Sequence, residues 1–75
     1  MHDTRAVIGN NIKILRTARG LNQYQLADEL GISQSFIGNI EAGVRSPSWK
    51  LARRMAAYFG VTLDYLATPR ELELT

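Results

Sequence analysis

The chain predicts an all-α fold on three observations. Apolar residues return every three or four positions in successive segments, four of those segments close on a glycine, and nowhere do four or more residues alternate with β-branched enrichment between turn residues. Seventy-five residues leave room for one compact domain and no second one. With 45% hydrophobic and 21% charged residues and only two prolines, the composition is that of a folded domain and not of a disordered tail. There is no cysteine, so disulfides and thiolate-bound zinc are both excluded, and helix packing or self-association must supply the stability.

The first helix is read from Thr4 to Arg19, with Ile8, Ile12, Leu15 and Ala18 stepping by four, three and three along one face and Gly20 as the stop. Gly9-Asn10-Asn11 is a weak point inside it, at about 1 kcal/mol for the glycine, which tertiary packing can override. Asn22 is a good N-cap, and Gln25, three residues on, can reach back to the cap amide, so a second helix starts there. It turns Leu26, Ala27 and Leu30 inward and ends at Gly31 after about two turns. Ser33 caps a third helix, Gln34 to about Ala42, which buries Ile37 and Ile40 and ends at Gly43. Two short helices separated by Gly31-Ile32-Ser33 form a helix-turn-helix, whose wide crossing lets the second helix project outward. After the Arg45-Ser46-Pro47 loop, Ser48 caps a fourth helix that repeats Ala52, Met55, Ala56 and Phe59 up to Gly60. Thr62 opens a last short helix, Leu63 to Ala67, with Asp64 favoured by the dipole in its first turn and Pro69 limiting its length. The domain is thus read as residues 1–67, followed by a short tail, 68–75, loosely ordered from Arg70 to Thr75.

Charge decides little, because nine Lys/Arg against seven Asp/Glu give a net charge of +2, which permits an anionic partner without requiring one. Histidine decides more. His2 is the only one and sits at a terminus expected to fray, so no Ser/His, Cys/His or His-cluster arrangement can be built. That leaves carboxylate chemistry, and Asp28, Glu29 and Glu41 read as surface or salt-bridge groups, so no enzyme is expected. Neither a glycine-rich phosphate loop nor metal-ligand spacing is present, and no metal, cofactor or small-molecule ligand is expected. No apolar stretch approaches a signal-peptide core or the roughly 20 residues of a spanning helix, so a cytoplasmic location and no membrane partner are expected.

Leu21-Asn22-Gln23-Tyr24-Gln25-Leu26-Ala27, then Gly31-Ile32-Ser33-Gln34-Ser35 and Ile37-Gly38-Asn39-Ile40-Glu41-Ala42-Gly43, closely resemble the Cro and phage-repressor (XRE-type) helix-turn-helix family. The resemblance runs from Ile8 to about Leu66 and includes Arg16, the Arg45-Ser46-Pro47-Ser48 loop and the closing Gly60-Val61-Thr62-Leu63-Asp64-Tyr65-Leu66. It implies a compact five-helix bundle of the lambda-repressor type, with the helix from Gln34 to Ala42 lying in the major groove of double-stranded DNA. Gln34, Ser35 and Asn39 are then the base readers. They lie opposite Ile37 and Ile40, and the Gln and Asn amides match adenine N6 and N7, worth about 1–3 kcal/mol per good bidentate contact.

The resemblance also gives Gln23, at the start of the second helix, a phosphate contact. Arg45, with Ser48, Trp49 and Lys50, would hold a phosphate further along the strand; equally, Arg45 reads as a solvated loop charge and Trp49 as a core or staple residue near Pro47. Phe36 either touches a thymine methyl or sugar edge or fills the crossing between helices. Gly38 permits close backbone approach and removes one reader. Arg16 and Glu41 match positions that pair in the family, tying the first helix to the end of the third. Lys13, Arg19, Arg53 and Arg54 read as solvated helix faces.

One such module buries too little surface for tight specific binding, whereas two recognition helices roughly 34 Å apart solve this in helix-turn-helix dimers. A homodimer on a pseudo-palindromic operator is therefore expected, with Leu51, Tyr58, Leu63 and Tyr65 as interface candidates or, alternatively, as extra packing against the first helix. The implied function is a sequence-specific transcriptional regulator acting as a repressor by occupying a promoter. Two alternatives share the fold: an antitoxin, for which Thr68 to Thr75 is meagre as a toxin wrap, and an adaptor without DNA binding, against which the polar Gln34, Ser35 and Asn39 argue.

Overall fold

Every helix begins where a side chain takes over one of its free amides. In the computed structural model, which describes residues 3–70, these caps are Asp3, Asn22, Ser33, Ser48 and Thr62. They open α1 (Thr4–Ala18), α2 (Gln23–Leu30), α3 (Gln34–Glu41), α4 (Trp49–Phe59) and α5 (Leu63–Ala67), with no strand among the described residues. The capping box is complete: Gln25 N–H donates to Asn22 Oδ1, and Asn22 N–H donates to Gln25 Oε1, both at 2.8 Å. Gly31 closes α2 at φ 70°, the left-handed conformation that lets Ile32 N–H return to the Ala27 carbonyl at 3.0 Å. That reversal starts the turn into α3.

The core gathers Ile12 from α1, Leu26 and Leu30 from α2, Ile37 and Ile40 from α3, Leu51, Met55 and Phe59 from α4, and Leu66 from α5. Burying each of these large side chains is worth about 1.5–3 kcal/mol, which is how short helices hold one another in a chain of this size. α1 differs from its expected stripe. Ile12 is buried and Ile8 and Leu15 pack partly against the core, but Ala18 is exposed, while Asn11 and Arg16 are inside. The weak Gly9-Asn10-Asn11 step has a physical reason. A Cβ on Gly9 would overlap the Ile40 carbonyl oxygen, so glycine lets α1 cross directly over the end of α3. Asn11 Nδ2 donates to the carbonyls of Leu66 and Thr68 at 2.8 Å and of Tyr65 at 3.3 Å, lashing α5 to α1.

Three further expectations change. Leu51 is 7% exposed and is a core residue, so it is unavailable to an interface. Arg19 and Arg54 are not merely solvated: Arg19 donates to the Tyr58 carbonyl at 3.1 Å and lies over the Tyr58 and Phe59 rings, and Arg54 donates to the Leu30 carbonyl at 2.6 Å. Arg70 stacks on the Tyr65 ring, 3.4 Å from its centre, so the tail's beginning folds back onto α5. Residues 71–75, the rest of the expected loose tail, and His2 lie outside the described residues.

Candidate nucleic-acid interface

The outward side of α3 is set by what its inward side buries. Ile37 and Ile40 are sealed in the core, so Ser35 and Asn39 are exposed and Gln34 is half-buried at the helix start. Behind them runs a chain of hydrogen bonds from the core outward. Arg16 Nε donates to Glu41 Oε2 at 2.6 Å and its Nη2 to Oε1 at 3.0 Å, while its Nη1 reaches the Leu21 carbonyl at 2.8 Å. The two side chains of this pair are only 10% and 4% exposed. Its bond to Glu41 raises the Arg16 pKa, outweighing the burial that lowers it. Gln23 Nε2 then donates to Glu41 Oε1 at 3.0 Å, and Gln34 Nε2 donates to Gln23 Oε1 at 2.6 Å. Gly38 faces this meeting point; a Cβ there would stand 3.4 Å from Gln23 Oε1.

The flank of α3 carries cations. Val44 and Arg45 N–H groups both donate to the Asn39 carbonyl, at 2.9 and 3.2 Å, folding the loop back along the helix. Arg45 thereby lies over the half-buried Phe36 ring, 5.5 Å from its centre. Phe36 itself packs against the core. A cleft of about 360 Å³ separates this edge from α4, with Phe36 and Ile32 on one wall and Ser48, Lys50 and Arg54 on the other. Ser48 Oγ is engaged as the N-cap, accepting from Leu51 N–H at 3.1 Å, and Lys50 is exposed.

The remaining site candidates fall elsewhere. Trp49 is 71% exposed, so it is neither a core residue nor a buried staple, and it stands with Pro47, Ile8 and Leu66 around a groove that includes no residue of α3. Tyr58 and Leu63 are partly buried against the core, and Tyr65 stays at the surface beneath Arg70. The bond between Gln23 and Gln34 is the feature that residue-by-residue reading missed. Its only signal in the sequence is the placement of both glutamines at the first position of their helices, which the capping residues Asn22 and Ser33 determine.

A helix-turn-helix family model, HTH_3, matches residues 12–66. An uncharacterized HTH-type transcriptional regulator of Methanocaldococcus jannaschii is 42% identical over 55 residues, 73% of this chain and 83% of that protein. The uncharacterized HTH-type transcriptional regulator YazB of Bacillus subtilis is 36% identical over 63 residues, 84% of this chain and 91% of its own length. Among solved structures, the restriction-modification controller protein C.AhdI of Aeromonas hydrophila superposes with a TM-score of 0.75 at 31% identity, over 83% of this chain and 94% of that one. With the α2–turn–α3 unit at its centre and the family model spanning all but the ends, the chain belongs to the XRE/Cro-type helix-turn-helix family of DNA-binding transcriptional regulators.

Proposed function

We propose that this protein is a sequence-specific regulator that reads double-stranded DNA through α3 and represses transcription by occupying a pseudo-palindromic operator as a homodimer. The observation that carries the reading is the brace on Gln34. Gln23 Oε1 takes one of the two Nε2 hydrogens of Gln34, leaving the other hydrogen and Oε1 without a hydrogen-bond partner among the described residues. Adenine asks for that donor and acceptor at N7 and N6 in the major groove. Ser35 and Asn39 extend the same polar face, and no charged side chain stands among the three. Gln23 keeps one amide hydrogen, enough for one phosphate oxygen, while Arg45, held over Phe36, and Lys50 supply positive charge along the edge. Occupying a promoter is sufficient for repression and needs no surface beyond these.

The test is selection of bound sequences from random duplex DNA at two salt concentrations, with Gln34→Ala and Asn39→Ala alongside. An enriched inverted repeat is expected, its A·T positions relaxing in the variants by about 1–3 kcal/mol of discrimination. Binding that is weak, salt-sensitive and blind to sequence would remove operator reading and leave only general DNA affinity.

A further inference from the structure

Phe36, the third residue of α3, is a half-buried aromatic on a helix whose outward side chains are otherwise polar. It precedes Asn39 by three positions, so the two are neighbours on the helix surface. Phe36 packs against the core, and the Arg45 guanidinium lies over its ring, 5.5 Å from the centre. At that separation the negative face of the ring attracts the cation. The backbone is drawn to the same point, because Val44 and Arg45 N–H both donate to the Asn39 carbonyl, at 2.9 and 3.2 Å. Arg45 is thus tied through main chain and side chain to the edge of α3 that carries Asn39.

The surroundings indicate what the guanidinium faces. Arg45 is exposed and makes no ion pair among the described residues. Lys50 and Arg54 line the cleft that Phe36 walls, and no carboxylate lines it. Three cations around one aromatic raise the local positive potential, and an anion from outside relieves it. A guanidinium held by a ring instead of a carboxylate keeps its N–H donors for such an acceptor. The stacking also restricts the long side chain beforehand, so less rotamer freedom is lost when a phosphate is gripped.

We propose that Phe36 is a positioning residue for DNA: it holds Arg45 beside Asn39, so that a backbone phosphate is gripped at a fixed offset from the bases that α3 reads. This rests on the reading of α3 as the DNA-facing helix. It assigns Phe36 a role through Arg45 and none at a base edge.

The test is a double-variant cycle, with affinity measured against salt on the selected operator and on a duplex lacking it, since a phosphate contact is blind to sequence. Arg45→Ala should weaken binding to both and lower the slope of log affinity against log salt by about one. Phe36→Leu keeps an apolar side chain and loses the π face. It should weaken binding roughly two- to fivefold in the unsubstituted chain and have no effect beside Arg45→Ala. Phe36→Tyr restores the face and should restore affinity. A loss in Phe36→Leu that persists beside Arg45→Ala overturns the proposal, since Phe36 would then act through packing alone. So does an Arg45→Ala variant that relaxes one base pair at an unchanged salt slope, which would make Arg45 a base reader. A loss in Phe36→Leu that vanishes when uracil replaces the operator thymines would put the ring on a thymine methyl, and overturns it too. If the chain binds duplex DNA without sequence preference, operator reading fails while the cycle still decides this proposal; if it binds no DNA, both fall.

Discussion

Replacing Glu41 by alanine removes the acceptor for three hydrogen bonds at once: two from Arg16 and one from Gln23. The Arg16 side chain, only 10% exposed, would retain the Leu21 carbonyl and no counter-charge. Stranding a buried charge in this way costs about 3–5 kcal/mol. A domain of this length is held by about 4–11 kcal/mol in total, at roughly 0.05–0.15 kcal/mol per residue, so Glu41→Ala should lose about a quarter or more of its stability. At about 4–8 °C per kcal/mol, its melting temperature should fall by roughly 12–40 °C. Urea denaturation followed by far-ultraviolet circular dichroism measures the free energy, and the double variant Arg16→Met with Glu41→Leu is the control. It strands no charge and should regain most of the stability, yet it leaves Gln23 without its inner acceptor, so operator affinity should stay reduced. A loss below about 1 kcal/mol for Glu41→Ala, the value of a solvent-exposed pair, would refute the claim that burial gives this contact its weight.

Gly9→Ala should destabilise by about 1–3 kcal/mol, against the roughly 0.5–1 kcal/mol gain usual for this change within a helix, because α1 must lift from the Ile40 carbonyl; thermal denaturation reads the sign. Asn11→Leu leaves the carbonyls of Tyr65, Leu66 and Thr68 without their donor, at about 1–3 kcal/mol for a buried group, and hydrogen exchange should accelerate first in α5. Gln23→Ala frees the Gln34 amide to rotate, so affinity for the selected operator should fall roughly tenfold, about 1.4 kcal/mol, with little change in melting temperature. The raised Arg16 pKa also has a consequence for pH. The stability it contributes is complete below the unfolded-state value and is lost only as pH climbs through the higher folded-state value, in strong alkali. Between roughly pH 7 and 9 the stability difference between the chain and its Arg16→Met/Glu41→Leu variant should therefore stay constant, as denaturation at each pH can verify.

The parts legible from the sequence are those set by neighbours along the chain. Asn22, Ser33, Ser48 and Thr62 act on amides three residues away, and Gly31 acts on its own φ, so caps, turn and helix limits follow from local patterns. Asn11 and Gly9 were not legible in that sense, since their partners lie 31 to 57 positions distant and their residue types argue against a helix interior. Arg54 and Arg19 carry the same lesson: a surface cation on a helix looks solvated until a carbonyl of another helix, Leu30 or Tyr58, arrives beside it. Leu51 reads as an interface candidate because it lies off the stripe of Ala52, Met55, Ala56 and Phe59, whereas α4 buries a wider arc that also takes in Leu51. Within the candidate interface, the outward placement of Ser35 and Asn39 follows from the burial of Ile37 and Ile40 opposite them, whereas the orientation of the Gln34 amide depends on a contact between two helices.

The bonded chain from Arg16 to Gln34 is layered, and its outermost link is the dispensable one. Losing the Gln34 side chain leaves Gln23 still bonded to Glu41, and Glu41 still bonded to Arg16. Losing Glu41 releases everything above it. On the proposed reading of DNA by α3, lineages descended from such a protein would be retargeted cheaply: after gene duplication, codon changes at 34, 35 and 39 would alter the preferred address while the Arg16–Glu41–Gln23 bonds beneath stay in place. A regulator built this way can diverge in what it recognises much faster than in how it folds.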